Sequence, residues 1–183
     1  MIKRSLPQQL FRLLITLAGS VLVGLGIHLI LLSGVGADPL TMFEEGLAKT
    51  LGIDTGTAVL MVNGTCMLLA LAVNRRRIGW GTLVTVLAVG PSVTLFEALR
   101  LPAPTAFGWG LGVNVLGLVF VGLGVATYMS ADCGIGVMEA LMTRLAEVIR
   151  KPYGVTRMGM DCCWLVLGIL LGGTLGVGTV MGV

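Results

Sequence analysis

The chain has 183 residues, 56% of them hydrophobic and 11% charged, with a mean hydropathy of +0.99. A soluble domain carries about 25% charged residues, so most of this surface faces lipid. The net charge of +3 is no nucleic-acid signal, because the basic residues sit in short loops, and no nucleic acid is expected as a partner.

The N-terminus, MIKRSLPQQLFR, has the charge of a signal peptide, but no clear small-residue cleavage site follows and further apolar runs do. It reads as the first span of a polytopic protein. A membrane helix needs about 20 apolar residues, which places the first span at about 13–32. His28, the only histidine, lies deep in it. A lone membrane histidine can relay protons, and more commonly makes one hydrogen bond between helices.

The segment GADPLTMFEEGLAKTLGIDTGT, residues 36–57, follows and carries four acids and one lysine. Asp38 suits an N-cap and Pro39 the first helical position, with Gly52 near the end. Leu40, Phe43, Leu47 and Leu51 recur at helical spacing, with Glu44, Glu45 and Lys49 elsewhere on the helix. The pattern predicts an amphipathic helix lying on the membrane surface or tucked between spans, and its plainest role is that of a connector.

The second span covers about 57–73 and holds Asn63; after NRRR, the third runs from 80 to about 99, with Glu97 near its end. The fourth covers about 107–129 and holds Asn114, and the fifth covers about 155–171 and holds Asp161. A sixth begins near Gly176 and the sequence stops at Val183, so the chain is expected to end inside its sixth span. All spans must be helical, since lipid offers the backbone no partner. With the N-terminus in the cytoplasm, ten lysines and arginines fall inside and only Lys49 and Arg100 outside, a bias that favours this orientation.

Shifting the first half by 98 positions brings Gly24-Leu25-Gly26 onto Gly122-Leu123-Gly124, Gly36 onto Gly134, Leu47-Ala48 onto Leu145-Ala146, Gly56 onto Gly154 and Asn63 onto Asp161. A shift of 97 brings GWGT at 79–82 onto GVGT at 176–179. The chain is therefore read as a single all-α membrane domain over 1–183, with repeat one at about 13–100 and repeat two at about 107–183. Three spans per copy is an odd number, so the copies enter from opposite sides, giving a 3+3 inverted-topology repeat of about six transmembrane helices. Such repeats recur in transporters.

The stretch GVGADPLTMFEEGLAKTLGIDTGT, with the apolar span after it and RRRIGWGTL, resembles the YczE/YitT-type family of bacterial integral membrane proteins. The resemblance implies a multi-span protein of the bacterial cytoplasmic membrane with a transport role. It brings no catalytic residues.

Candidate site residues follow from polarity at membrane depth. A charged acid at the bilayer centre costs about 2.5–3.5 kcal/mol, so Asp161 is expected to face the interior near Asn63, as a solute or proton site or as a hydrogen-bonded pair. Arg157, one turn earlier, stands ready to neutralise it. The glycine-rich stretches around Gly34, Gly36 and Asp38, and around Asp132 and Gly134, read as breaks in helices that expose backbone groups to a solute or ion. Gly24, Gly26, Gly122 and Gly124 read as close-packing positions. Cys66, Cys133, Cys162 and Cys163 have no zinc spacing. No nucleotide, metalloprotease, hydrolase or cofactor motif occurs, so neither an enzyme nor a cofactor is expected. Three functions stay open: a small secondary transporter or channel-like carrier of a small solute or ion, a membrane-embedded substrate-binding subunit of a multi-component transporter, and a non-transporting scaffold. The expected partners are lipid and a small solute or ion, with a second copy or a partner membrane subunit left open.

Overall fold

A computed structural model describes residues 6–73 and 78–181, and all regular structure in them is helical. The order is α1 (Leu6–Ser33), α2 (Pro39–Leu51), α3 (Thr55–Val73), α4 (Trp80–Ala98), α5 (Phe107–Ser130), α6 (Val137–Ile149), α7 (Tyr153–Leu170) and α8 (Val177–Met181). Among the described residues four helices, α1, α3, α4 and α5, are long and apolar enough to cross a membrane. The fifth expected span, α7, is not one of them, because Arg157 and Asp161 dilute its 18 residues. Its outward face is nevertheless apolar, with Val166, Leu167, Ile169 and Leu170 exposed. Lys3, Arg4 and Arg75–Arg77, which carry much of the charge bias, lie outside the described residues.

Packing centres on α1, which lies against α5 and α4. Glycine makes the α1–α5 contact possible. A Cβ on Gly26 would stand 2.7 Å from the Gly117 carbonyl oxygen, and one on Gly117 would stand 2.8 Å from that of Gly26. Gly19 and Gly124 form a second reciprocal pair, at 2.7 and 2.6 Å. At one end Gly110 faces Ser33, and at the other Arg12 Nη1 donates to the Ala131 carbonyl at 3.1 Å. The order of these contacts makes the two helices antiparallel along most of their length. Backbones this close gain dispersion and weak hydrogen bonds that larger residues would forbid. Gly24 packs on α4 instead, beside Ser92, and Gly122 has open space around its α-carbon. Of the four glycines expected at interfaces, three are there.

The backbone repeats itself at the 98-residue offset. Positive φ occurs at Gly34 and Asp132, at Gly36 and Gly134, and at Gly52 and Arg150. The last pair ends α2 and α6 in the same left-handed cap, bonding the Ala48 and Ala146 carbonyls respectively. Each break between helices is seated on the start of a helix from the other half. Gly81 N donates to the Cys133 carbonyl at 3.0 Å, and Gly178 N to that of Val35 at 3.1 Å. A Cβ on Gly134 would stand 2.9 Å from Gly79 N, and one on Gly36 would stand 2.6 Å from Gly176 N. With φ of +129° and +113° as well, both positions admit only glycine without strain. Thr82 and Thr179 accept from Gly79 N and Gly176 N at 3.2 Å, and Thr82 also donates to the Ile135 carbonyl at 2.7 Å.

Asn114 of α5 adds a tie to the first break. It is fully buried and its Nδ2 donates to Ser33 Oγ at 3.0 Å and to the Gly36 carbonyl at 2.8 Å. Asn114→Leu leaves that carbonyl without its side-chain donor, a loss of about 1–3 kcal/mol. A lower melting temperature of the detergent-purified variant is the expected result, and an unchanged one would show the tie to be idle.

Candidate functional site

A cavity of about 180 Å³ lies at the starts of the two short helices that follow the breaks. Its walls include Val23 and Ile27 from the middle of α1, Asn63 from α3, Thr85 from α4, Val121, Val125 and Tyr128 from α5, and Arg157, Asp161 and Trp164 from α7. The short helices α2 and α6 both begin here: Asp38, Pro39 and Thr41 line it on one side, and Gly136, Val137 and Glu139 on the other. Thus α2 is tucked between spans, packed on α7 and α3, and not laid on the membrane surface.

Four carboxylates and one guanidinium line the space: Asp38, Glu44, Glu139 and Asp161 against Arg157. Three of the acids have partners. Asp38 Oδ2 accepts from Thr41 N at 3.3 Å and so caps α2. Glu139, in the first turn of α6, accepts from the Tyr128 hydroxyl at 3.2 Å. Asp161, 8% exposed, lies 3.6 Å from Arg157 Nε. The fourth, Glu44, is 2% exposed and accepts no hydrogen bond from any described residue. Burial, reinforced by the nearby Asp38 carboxylate, pushes its pKa well above the ordinary 4.5. Its neighbour Glu45 behaves in the opposite way. Burial alone would raise its pKa, but hydrogen bonds from Lys49 and Thr174 outweigh that and lower it. Thr174 donates to Glu45 through both N and Oγ1, at 2.8 and 2.7 Å, which ties α2 to the segment before α8.

Of the residues singled out in the sequence, Asp161, Asn63 and Asp38 meet at this cavity. Gly34, Gly36 and Gly134 shape the breaks without lining it. Asp132 turns outward, its side chain 72% exposed and paired with Arg12 at 3.3 Å. His28 is buried beside the Phe96 ring, 6.4 Å between centroids, and its Nε2 has no hydrogen-bond partner among the described residues. The expected helix–helix hydrogen bond is not made by that nitrogen.

Glu139, expected from the sequence to reach an interface, lines the cavity, whereas sequence reasoning missed Glu44, Tyr128 and Trp164 as lining residues. For Glu44 a signal existed. Asp38, Thr41 and Glu44 recur every three residues, a polar stripe beside the leucine stripe of the same helix. In a chain wrapped in lipid such a stripe points inward.

These features define a polytopic α-helical membrane protein with a charged cavity among its helices. It belongs to the DUF6198 family, a family of unknown function whose model matches residues 10–183, in keeping with the YczE-type resemblance of its motifs. It is similar to a protein of Haemophilus influenzae, 29% identical over 160 residues, covering 87% of this chain and 72% of the relative. The membrane protein YczE of Bacillus subtilis is 26% identical over 165 residues, covering 90% and 76%. YyaS of the same organism is 24% identical over 172 residues, covering 89% and 82%. No solved structure matches the chain.

Proposed function

We propose that the protein is a small secondary transporter of the bacterial cytoplasmic membrane, built as a 3+3 inverted repeat with its N-terminus in the cytoplasm. One observation carries the reading: the charged cavity is lined by the residues that directly follow both helix breaks, Asp38 and Gly136, and by residues from the interior of α1, α3, α4, α5 and α7. Sites of this kind in repeat transporters sit at the bilayer midplane between discontinuous helices. The antiparallel α1–α5 pair, the repeated positive φ angles and the reciprocal seats of the breaks all support two halves of one plan in opposite orientation. Two such halves can exchange conformations, so that the same cavity opens first to one side and then to the other. The excess of basic residues in the loops assigned to the cytoplasm supports the orientation.

The test is accessibility. With Cys66, Cys133, Cys162 and Cys163 replaced by serine or alanine, Val125→Cys puts a single thiol in the cavity wall. A membrane-impermeant maleimide should label it in both right-side-out and inverted vesicles. Labelling from one side only, under every condition of pH and salt gradient, would overturn the carrier and favour a binding subunit or scaffold.

A further inference from the structure

Resting on the transport reading, one side chain of the cavity points to a class of solute. We propose that Glu44 binds a small organic monocation, carrying an ammonium or guanidinium group, in exchange for a proton.

Glu44 is 2% exposed and lines the cavity without a donor from any described residue. Its surroundings can be followed element by element. From its own helix it meets Asp38, which caps α2. From α6 comes Glu139, held by Tyr128 of α5. From α7 come Asp161 and Arg157, which offset each other at 3.6 Å. From α3 comes the Cys66 thiol, near enough to feel the Glu44 charge. Neither α1 nor α4 adds a titratable group to the lining. Among the described residues no cation is left over for Glu44, so an ionised carboxylate there is buried without compensation. It must take up a proton or a cation from the cavity. The raised pKa of Glu44 agrees with a site that holds a proton while the cavity lacks a cation.

The rest of the lining argues for the chemical class. An anion would seek the N-termini of α2 and α6, but Asp38 and Glu139 already occupy those positions. A divalent metal needs several clustered ligands, and among the described residues no three of His, Cys, Asp and Glu lie close enough to share one. An organic cation needs one carboxylate and an apolar or aromatic wall. Tyr128, Trp164 and the valines of α1, α4 and α5 supply that wall. A cavity of about 150 Å³ holds a benzene-sized guest, so this space of about 180 Å³ suits a solute of similar size. The exchange is balanced. The cation enters and the Glu44 proton leaves to water on the side to which the cavity is open, so the net charge of the site is unchanged.

The experiment uses the full chain purified in detergent, in weakly buffered solution with a pH-indicating dye. Guanidinium chloride or methylammonium chloride should release up to one proton per protein, beyond any release by sodium chloride at equal concentration. Calorimetric affinity for the releasing cation should rise up to about tenfold per pH unit while Glu44 is mostly protonated. Glu44→Gln should abolish the release, whereas Glu147→Gln, an exposed acid on α6 away from the cavity, should retain it. No release with either cation, equal release with sodium, or full release from Glu44→Gln would each overturn the proposal. If Glu44→Gln does not fold, the native protein decides, because a pH-independent affinity overturns the proposal equally. Two-sided labelling of Val125→Cys without cation-linked proton release refutes this assignment and leaves the carrier standing. Proton release with one-sided labelling does the reverse.

Discussion

Gly117→Leu is expected to lower the melting temperature of the purified protein by about 10 °C, or to prevent its accumulation in the membrane altogether. Even a single added carbon at this position would meet the Gly26 carbonyl oxygen at 2.8 Å, the Ile30 Cγ1 at 2.8 Å and the Ile30 nitrogen at 3.0 Å. Two of those atoms are backbone and cannot rotate away, so α1 and α5 must part. Overpacking by a few methylenes costs about 1–3 kcal/mol and sometimes more, and a chain of this length loses about 2–4 °C per kcal/mol. The effect should extend beyond stability, because α1 and α5 both wall the cavity. Gly122→Leu, one turn and a half along the same helix, meets nothing within 4 Å and should be tolerated. Equal melting temperatures for the two variants, read by fluorescence-detected size exclusion after heating, would mean that the α1–α5 contact is looser than described.

Glu44→Gln is expected to stabilise the protein, and to do so more as pH rises. The sign follows from proton linkage. A carboxyl whose pKa is raised by folding contributes stability that is fully present below its unfolded value, here 4.5, and is lost as pH rises through the folded value. Between the two values the unfolded chain ionises while the folded one keeps its proton. The native protein then loses up to about 1.4 kcal/mol per pH unit relative to a variant that cannot ionise there. That corresponds to roughly 3–6 °C per unit. Melting curves of both proteins from pH 4 upward should therefore coincide at the acidic end and diverge above it. A constant gap across that range would mean that Glu44 is solvated or paired.

Local chemistry made much of the fold legible. Asp38 and Pro39 start α2 and Gly52 ends it, because capping and the left-handed conformation are settled by a few adjacent residues. The five long apolar runs became helices, with boundaries moved most at α1, whose polar first turn the hydropathy reading left out. Asp161 went inward to share the cavity with Asn63, as the cost of a charge in lipid demanded. Glu44 was not singled out as a site residue, because the rule that polar residues face outward holds only in water. In lipid the apolar side chains can face out, and the polar stripe of α2 turned to the cavity. Gly122 and Gly124 are two residues apart and look alike in sequence, yet only Gly124 meets another helix. Which glycine touches a partner depends on the rotation of α5, and that is a property of the assembled bundle. The seating of Gly134 on Gly79 joins residues far apart in the chain, and only the folded backbone reveals it.

That reciprocal seating has a consequence for biosynthesis. The first break, at Val35 and Gly36, receives its hydrogen bond from Gly178, about 140 residues later. At about 5–20 residues per second, a ribosome takes roughly 7–30 s to make the intervening chain. Until then the break between α1 and α2 is held by Asn114, once α5 has been made, and the Val35 carbonyl lacks its final donor. A junction between two of the earliest-made helices is thus among the last to set. A nascent chain stalled before residue 176 should remain open to proteolysis near residue 35, and completion of α8 should close it.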